Sequence, residues 1–404
     1  MNKKALAGVK VLEYARFIAG PYCSKLFADL GAEVIKVEPP GSGDESRSKG
    51  PFPDDIPHSE KSALFLYLNT NKLGITLNLD SATGKGIFKS LIEDADILIE
   101  DEPPGLMKDR GLDFEILGKI NPGLIMTSIT PFGQTGPHAQ YKAYPLNSVH
   151  AGMLGYLTPW VSLRPEREPI QPGGYLGEYG SGLSAATAVL AALYVQRASG
   201  QGQHIDISKQ EAIIALNRVN APQFPNYGES DTRFVNLSGL LGDIVPCKNG
   251  YIVFQINETH HWQGFVRLLG SPQWALDPVY LKGEERGKRF LTEIRPRVIE
   301  WAREHTKEEI YHKGQAANCP FAVVNSPADV VNSEQMKARG FFVEVAHPVA
   351  GKVKQAGAPF IMSETPWAVE RPAPTLGHHN EDILCERLGY SKQDLVELRR
   401  EGII

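Results

Sequence analysis

Cysteine is scarce: Cys23, Cys247, Cys319 and Cys385 stand far apart in 404 residues, with no CxxC pair and no metal-ligand spacing. That argues against a disulfide scaffold or a cysteine-held metal, and for thiols kept reduced in the cytoplasm. Positive charge is not in excess either. Against 47 Asp and Glu there are 42 Lys and Arg, a formal charge of −5, so nucleic acid is not an expected partner. Long apolar runs are missing as well. The stretch from Leu183 to Val195 is well short of the roughly 20 residues that a bilayer requires. Lys3 and Lys4 have no apolar segment behind them of the kind a secretory signal carries, so no membrane association is expected. There is no internal repeat and no low-complexity tract.

What is present is an ordinary apolar fraction of 42%, enough for a sizeable core, in a chain long enough for two domains. Val9–Glu13 reads as a strand, Arg16–Pro21 as a loop opening a helix that ends near Gly31, and Ala32–Glu38 as a second strand. Strand, Gly-Pro turn, helix and strand make a βαβ unit, which predicts a parallel, doubly wound sheet. No GxGxxG follows the first strand, so nothing here argues for a dinucleotide. Further strands are expected at 74–79, 95–100, 123–129 and 204–208. The loops at Pro21, Lys72, Pro104 and Gly136 fall at carboxyl ends of strands, where ligands gather in such sheets. The pattern changes from about Val219 to Thr306, where Gly239, a hairpin around Lys248–Gly250 and a helix over Trp262–Gly270 suggest a smaller α+β domain. The expected organisation is a large α/β, Rossmann-like domain from 1–218 and 307–404, with a small domain at 219–306. The tail, 380–404, reads as a pair of charged amphipathic helices.

One acid stands out. Gly173-Gly174-Tyr175-Leu176-Gly177-Glu178-Tyr179-Gly180-Ser181-Gly182 is a glycine-rich stretch feeding the apolar run from Leu183, which reads as a buried helix. Glu178 is expected just before its first turn, where unpaired N–H groups and the helix dipole favour an ionised acid. A carboxylate there can cap the helix or attack an electrophile.

Ala19-Gly20-Pro21, Asp29–Glu38, Asn71-Lys72, Phe132–Pro137, Gly200-Gln201-Gly202-Gln203, Leu388–Ser391 and Gly402-Ile403-Ile404 together resemble the class III CoA-transferases, of the CaiB/BaiF type. The resemblance runs from end to end. It implies two chains threaded through each other as an interlocked dimer, with CoA or acyl-CoA as substrate and no metal. Family members pass CoA from an acyl-CoA to a free acid by way of a carboxylate, normally an aspartate, at the position of Glu178. Ile18, Ala19, Lys36 and Leu68 stand at CoA-contacting positions of the family, as do Lys72, Asp101, Glu102 and Lys142.

The chain departs from that pattern. Glu178 replaces the aspartate, and one extra methylene moves the reacting oxygen by more than an ångström, worth about 100-fold in rate if uncompensated. Asp101-Glu102 replaces an Asn-Phe pair, and two acids beside a polyanion would repel it. Pro39 and Thr70 stand where basic residues are usual, leaving Lys36, Lys72 and Lys142 as the expected cations. Racemases of the family use a histidine where this chain has Tyr144, and His150 nearby reads as structural, so racemase activity is not expected. Three roles follow. One is the supporting subunit of a hetero-oligomer whose paralogous partner carries the aspartate and which acts with a donor such as succinyl-CoA. The others are a self-sufficient transferase using Glu178, and a non-enzymatic acyl-CoA-binding or scaffolding protein.

Overall fold

The computed structural model describes residues 4–159, 166–217, 220–230 and 242–404. Two compact units emerge, one built from 1–159, 168–232 and 339–404, the other from 160–167 and 233–338. The border expected at 219 and the turn expected at Gly239 lie outside the described residues.

In the first unit six strands form one parallel sheet: β1 (Lys10–Tyr14), β2 (Glu33–Glu38), β3 (Leu73–Thr76), β4 (Ile97–Glu100), β5 (Ile125–Thr130) and β6 (Gln203–Ser208). Their order is 3-2-1-4-5-6, the doubly wound arrangement that leaves a crevice where β1 and β4 diverge. Covered on both faces, β1 to β5 are almost wholly buried, whereas the edge strand β6 alternates and leaves Gln203, His204 and Asp206 exposed. Leu12, Ile35, Leu98 and Met126 point to one face, packed with Phe88, Leu91, Leu117 and the C-terminal Leu395 and Leu398. Val11, Val34, Ile97 and Ile125 point to the other, under the Ala19–Asp29 and Leu176–Ser199 helices. A hairpin of β10 (Phe342–His347) and β11 (Gly351–Ala356) completes the unit.

The Leu176–Ser199 helix begins seven residues before the expected Leu183, so Glu178 lies within its first turn rather than ahead of it. The glycines that suggested a loop are contact points instead. A Cβ on Gly177 would meet the Ile213 side chain at 2.8 Å, one on Gly180 would meet Leu216 at 2.7 Å, and one on Gly182 would meet the Ala19 carbonyl at 2.5 Å. Gly200 closes the helix at φ 73°, a left-handed conformation that favours glycine, its N–H bonded to the Gln196 carbonyl.

The second unit holds an antiparallel sheet of β7 (Gly242–Cys247), β8 (Gly250–Gln255) and β9 (Phe321–Val323). Its core includes Trp262, Phe265, Phe290 and Phe321. Here β9 pairs with the small-domain hairpin, although the sequence pattern had suggested that 307 onward returns to the large domain. The aromatic core explains it, since Phe321 stacks on Phe254 with ring centroids 5.8 Å apart. No helix among the described residues is long and apolar enough to cross a membrane.

Candidate functional site

The carboxyl ends of β1, β2 and β4 carry a density of charge that a parallel sheet tolerates only if each group is paired. Glu13, near the carboxyl end of β1, accepts from Lys36 Nζ and from Ser24 Oγ at 2.7 and 2.6 Å, and lies 2.7 Å from Lys72 Nζ. Lys36 reaches Asp44 at 2.7 Å and the Ala15 carbonyl at 3.1 Å. Lys72 donates to the Pro21 carbonyl and to Asn69 Oδ1 at 2.9 and 2.8 Å. Beside them Arg47 grips Glu38 through two nitrogens, at 2.7 and 2.8 Å, and donates to Glu60 at 2.8 Å.

Burial alone would raise the Glu13 carboxyl, but the two ammonium groups more than offset it and hold it below the usual carboxylate range. For Lys36, burial is outweighed by Asp44 and Glu13, and its ammonium is held above the usual range. Lys72 has Glu13 as its carboxylate partner, and burial wins, pushing it down to about 8. Lys36 and Lys72 were expected as cations for CoA. Both are fully buried and committed to internal partners, so in this structure they bind the loops together instead of presenting charge to a phosphate.

Ile18 and Ala19, also expected at the CoA site, are buried at the start of the Ala19–Asp29 helix, and Leu68 is buried at the end of the Ala63–Leu68 helix. The preceding residue, Phe17, adopts φ 65°, an uncommon conformation held by its N–H to Asp44 Oδ1 at 3.0 Å. Its ring meets that of Tyr175, also left-handed at φ 54°, edge to face at 5.2 Å. Two strained turns, each just before a helix, thus lock the β1 loop to the start of the helix bearing Glu178.

The acids leaving β4 are arranged differently from two bare charges. Glu102 lies 3.3 Å from Arg16 and 3.4 Å from Arg110. Asp101 takes the Arg16 backbone N–H at 2.9 Å. Burial pushes its carboxyl up to about 8, with Lys209 and Arg16 offsetting only part of the rise. Glu100 is likewise pushed up by burial to about 7, against hydrogen bonds from Ser128 and the Glu102 backbone. At neutral pH one of the two expected repulsive charges is therefore mostly protonated and the other sits between guanidinium groups. Asp101 and Glu102 therefore repel a polyanion such as CoA less than two bare carboxylates would. Arg16 and Arg110 were not among the residues expected here, although Arg16 lies two residues beyond β1 and Arg110 one short helix beyond β4.

Glu178 is 3% exposed, and Lys209 Nζ donates to its Oε2 at 2.7 Å. Lys209 opens the Lys209–Leu216 helix directly after β6, a helix capped by Ser208, whose hydroxyl accepts from the Glu211 N–H. The Asp101 carboxyl also feels this ammonium, so Lys209 joins two acids that sequence reasoning had treated separately. Sequence reasoning passed over Lys209 itself; the available signal was a capping Ser208 placing a lysine at the carboxyl end of a strand. Lys142 is exposed, with no ion-pair partner among the described residues, and Tyr144 is exposed at the cap of the Pro145–Ala151 helix.

Beyond the ends of β4 and β5 opens a cavity of 560 Å³, bounded by Glu100, Glu102, Lys108, Phe114, Gln134 and His204. Ser128 Oγ and His204 Nε2, both in its lining, are 2.8 Å apart, and Phe114 stacks on the imidazole at 5.9 Å. Burial lowers His204, partly countered by Asp206.

Known proteins are similar to this chain in fold and in sequence. A solved CaiB/BaiF family protein from Brucella suis superposes with a TM-score of 0.86 at 29% identity, over 95% of this chain and 99% of that one. A structure from Mycobacterium tuberculosis does so at 0.80 and 26%, over 94% and 99%. Among curated proteins, the formyl-CoA:oxalate CoA-transferase of Afipia carboxidovorans is 32% identical, over 99% of this chain and 98% of its own. The succinyl-CoA--D-citramalate CoA-transferase of Chloroflexus aurantiacus is 30% identical over the same shares. The model of CoA-transferase family III matches residues 6–380, and with relatives of this identity along the whole length, the chain belongs to that family.

Proposed function

We propose that this CoA-transferase moves CoA between two carboxylic acids with Glu178 as the group that carries it. The observation that supports this most directly is the placement of Glu178: a buried carboxylate in the first turn of a helix, oriented by an ammonium 2.7 Å away. Its carboxylate attacks the thioester carbonyl of the donor, forming a mixed anhydride and releasing CoA thiolate. The thiolate attacks the glutamyl carbonyl, giving a glutamyl-CoA thioester and the donor acid. The acceptor carboxylate repeats the two steps in reverse, leaving acyl-CoA and free Glu178. Every bond broken is matched by one formed, and no proton is consumed.

Reduced repulsion at Asp101 and Glu102 supports a CoA site in this chain. The names of the relatives suggest formyl-CoA and succinyl-CoA as donors to try, with oxalate and D-citramalate as acceptors. We also propose that the working unit is a dimer, interlocked as in the family. Leu183, Leu190, Tyr194 and Val195 are exposed along the Leu176–Ser199 helix, an apolar row that a second chain would cover. All four cysteines are free thiols, in keeping with a cytoplasmic location.

The supporting-subunit reading keeps one observation on its side: Glu178 is closed off by Lys209, with little surface left for a thioester to approach. The two readings part on a simple assay. The purified chain alone, offered formyl-CoA with oxalate and succinyl-CoA with D-citramalate, should form the new thioester, and Glu178→Gln should abolish it. Activity appearing only after a paralogous chain is added would favour the supporting-subunit reading.

A further inference from the structure

We infer that Lys209 is the counter-ion for the single negative charge that travels through the reaction, holding in turn the Glu178 carboxylate, the CoA thiolate and the carboxylate of each free acid. This rests on the proposed role of Glu178. It follows from the surroundings of the pair. Glu178 and Lys209 side chains are 3% and 14% exposed, with Oε2 and Nζ 2.7 Å apart, so the ammonium has exchanged most of its hydration for one carboxylate. Acylation turns that carboxylate into a neutral anhydride or thioester and would leave the ammonium buried without a partner.

The chemistry supplies a replacement at every stage. When the Glu178 oxygen bonds to the donor acyl carbon, the electron pair of the breaking C–S bond leaves on sulfur, giving one thiolate. When sulfur bonds to the glutamyl carbonyl carbon, the pair of the breaking C–O bond leaves on the donor acid, giving one carboxylate. The acceptor acid then enters as one carboxylate. Each covalent state thus contains one anion displaced from Glu178, formed within bonding distance of the atom it left and so close to Nζ. An ammonium already in place needs no reorganisation to receive it.

The other groups around Lys209 fit this assignment. Asp101, following β4, feels the ammonium but is itself held by the Arg16 N–H, with Glu100 beside it. Asp206, on β6, accepts from the Gln134 N–H. Asp206 is thus engaged, and Asp101 is held through Oδ2 alone, its Oδ1 without a hydrogen-bond partner among the described residues; the travelling anion meets an ammonium that Glu178 has just vacated.

The test compares Lys209→Met, Lys209→Gln, Lys209→Arg, Lys209→Ala and Glu178→Gln in the full chain, with formyl-CoA and oxalate or succinyl-CoA and D-citramalate, whichever pair the wild type turns over. We expect Lys209→Met and Lys209→Gln to lose about 100-fold in kcat with KM for the acyl-CoA within a few-fold, and Lys209→Arg to return to within about tenfold of wild type. Lys209→Ala should be rescued by ethylammonium but not by ethanol, a difference that a packing role would not produce. If Lys209→Met does not fold, the Gln and Arg variants decide alone, and equal activity in those two overturns the inference. Lys209→Met within threefold of wild type, with Glu178→Gln inactive, overturns the inference and leaves the function standing. A fully active Glu178→Gln, or a wild type that uses neither pair, overturns both.

Discussion

The backbone N–H of Arg16 donates to Asp101 Oδ2 at 2.9 Å, while the other oxygen, Oδ1, is buried with no hydrogen-bond partner among the described residues. A carboxyl in that position is half satisfied, which is why burial raises it to about 8. Below about pH 4 both folded and unfolded chains hold this proton; between about 4 and 8 only the folded chain does, so stability falls as pH rises through that window. Thermal melts of Asp101→Asn between pH 5 and 8 should show a shallower decline than wild type. Parallel curves would contradict this environment for Asp101.

Lys36 is fully buried between Glu13 and Asp44, 2.7 Å from each. Removing it strands two carboxylates in the interior, so Lys36→Met should cost about 3–5 kcal/mol in urea unfolding. Lys142, exposed, should tolerate Ala within about 0.5 kcal/mol. A Lys36→Met chain of unchanged stability with weakened CoA binding would return Lys36 to the role the family resemblance implies.

Gly182 packs so closely on the Ala19 carbonyl that a Cβ would stand 2.5 Å from the oxygen. Gly182→Ala must separate the Leu176–Ser199 helix from the start of the Ala19–Asp29 helix, costing about 1–3 kcal/mol. Because Phe17 and Tyr175 touch just beyond this contact, kcat should fall as well. A variant as stable and active as wild type would show that the two helices are loosely coupled.

The doubly wound sheet was legible because strands buried on both faces keep their apolar runs, and the first two are joined within forty residues by one helix, whose first turn holds Gly20-Pro21 where the sequence suggested a loop. The helix start at Leu176 was not. Gly177, Gly180 and Gly182 lower local helix propensity, and only the packing of Ile213, Leu216 and Ala19 against them shows why they are there. Glu178 was found from its neighbours in sequence. Lys209 was missed because a lysine after a strand reads as a solvated surface charge until the fold sets it 2.7 Å from that acid, 31 positions earlier. Lys36 and Lys72 show the converse: their charge was visible, but the pairing that turns it inward depends on Glu13, Asp44 and Asn69, brought in from three different loops and strands.

If Glu178 carries CoA, the carrier can be trapped chemically. The full chain is incubated with formyl-CoA or succinyl-CoA, quenched with hydroxylamine and digested. Hydroxylamine attacks the glutamyl carbonyl of the glutamyl-CoA thioester and releases CoA, leaving a glutamyl hydroxamate that peptide mass spectrometry places on one residue. The hydroxamate is expected on the peptide containing Glu178, dependent on acyl-CoA and absent from Glu178→Gln. Full transfer activity with Glu178 unmodified, or with the label on a partner chain, would contradict it.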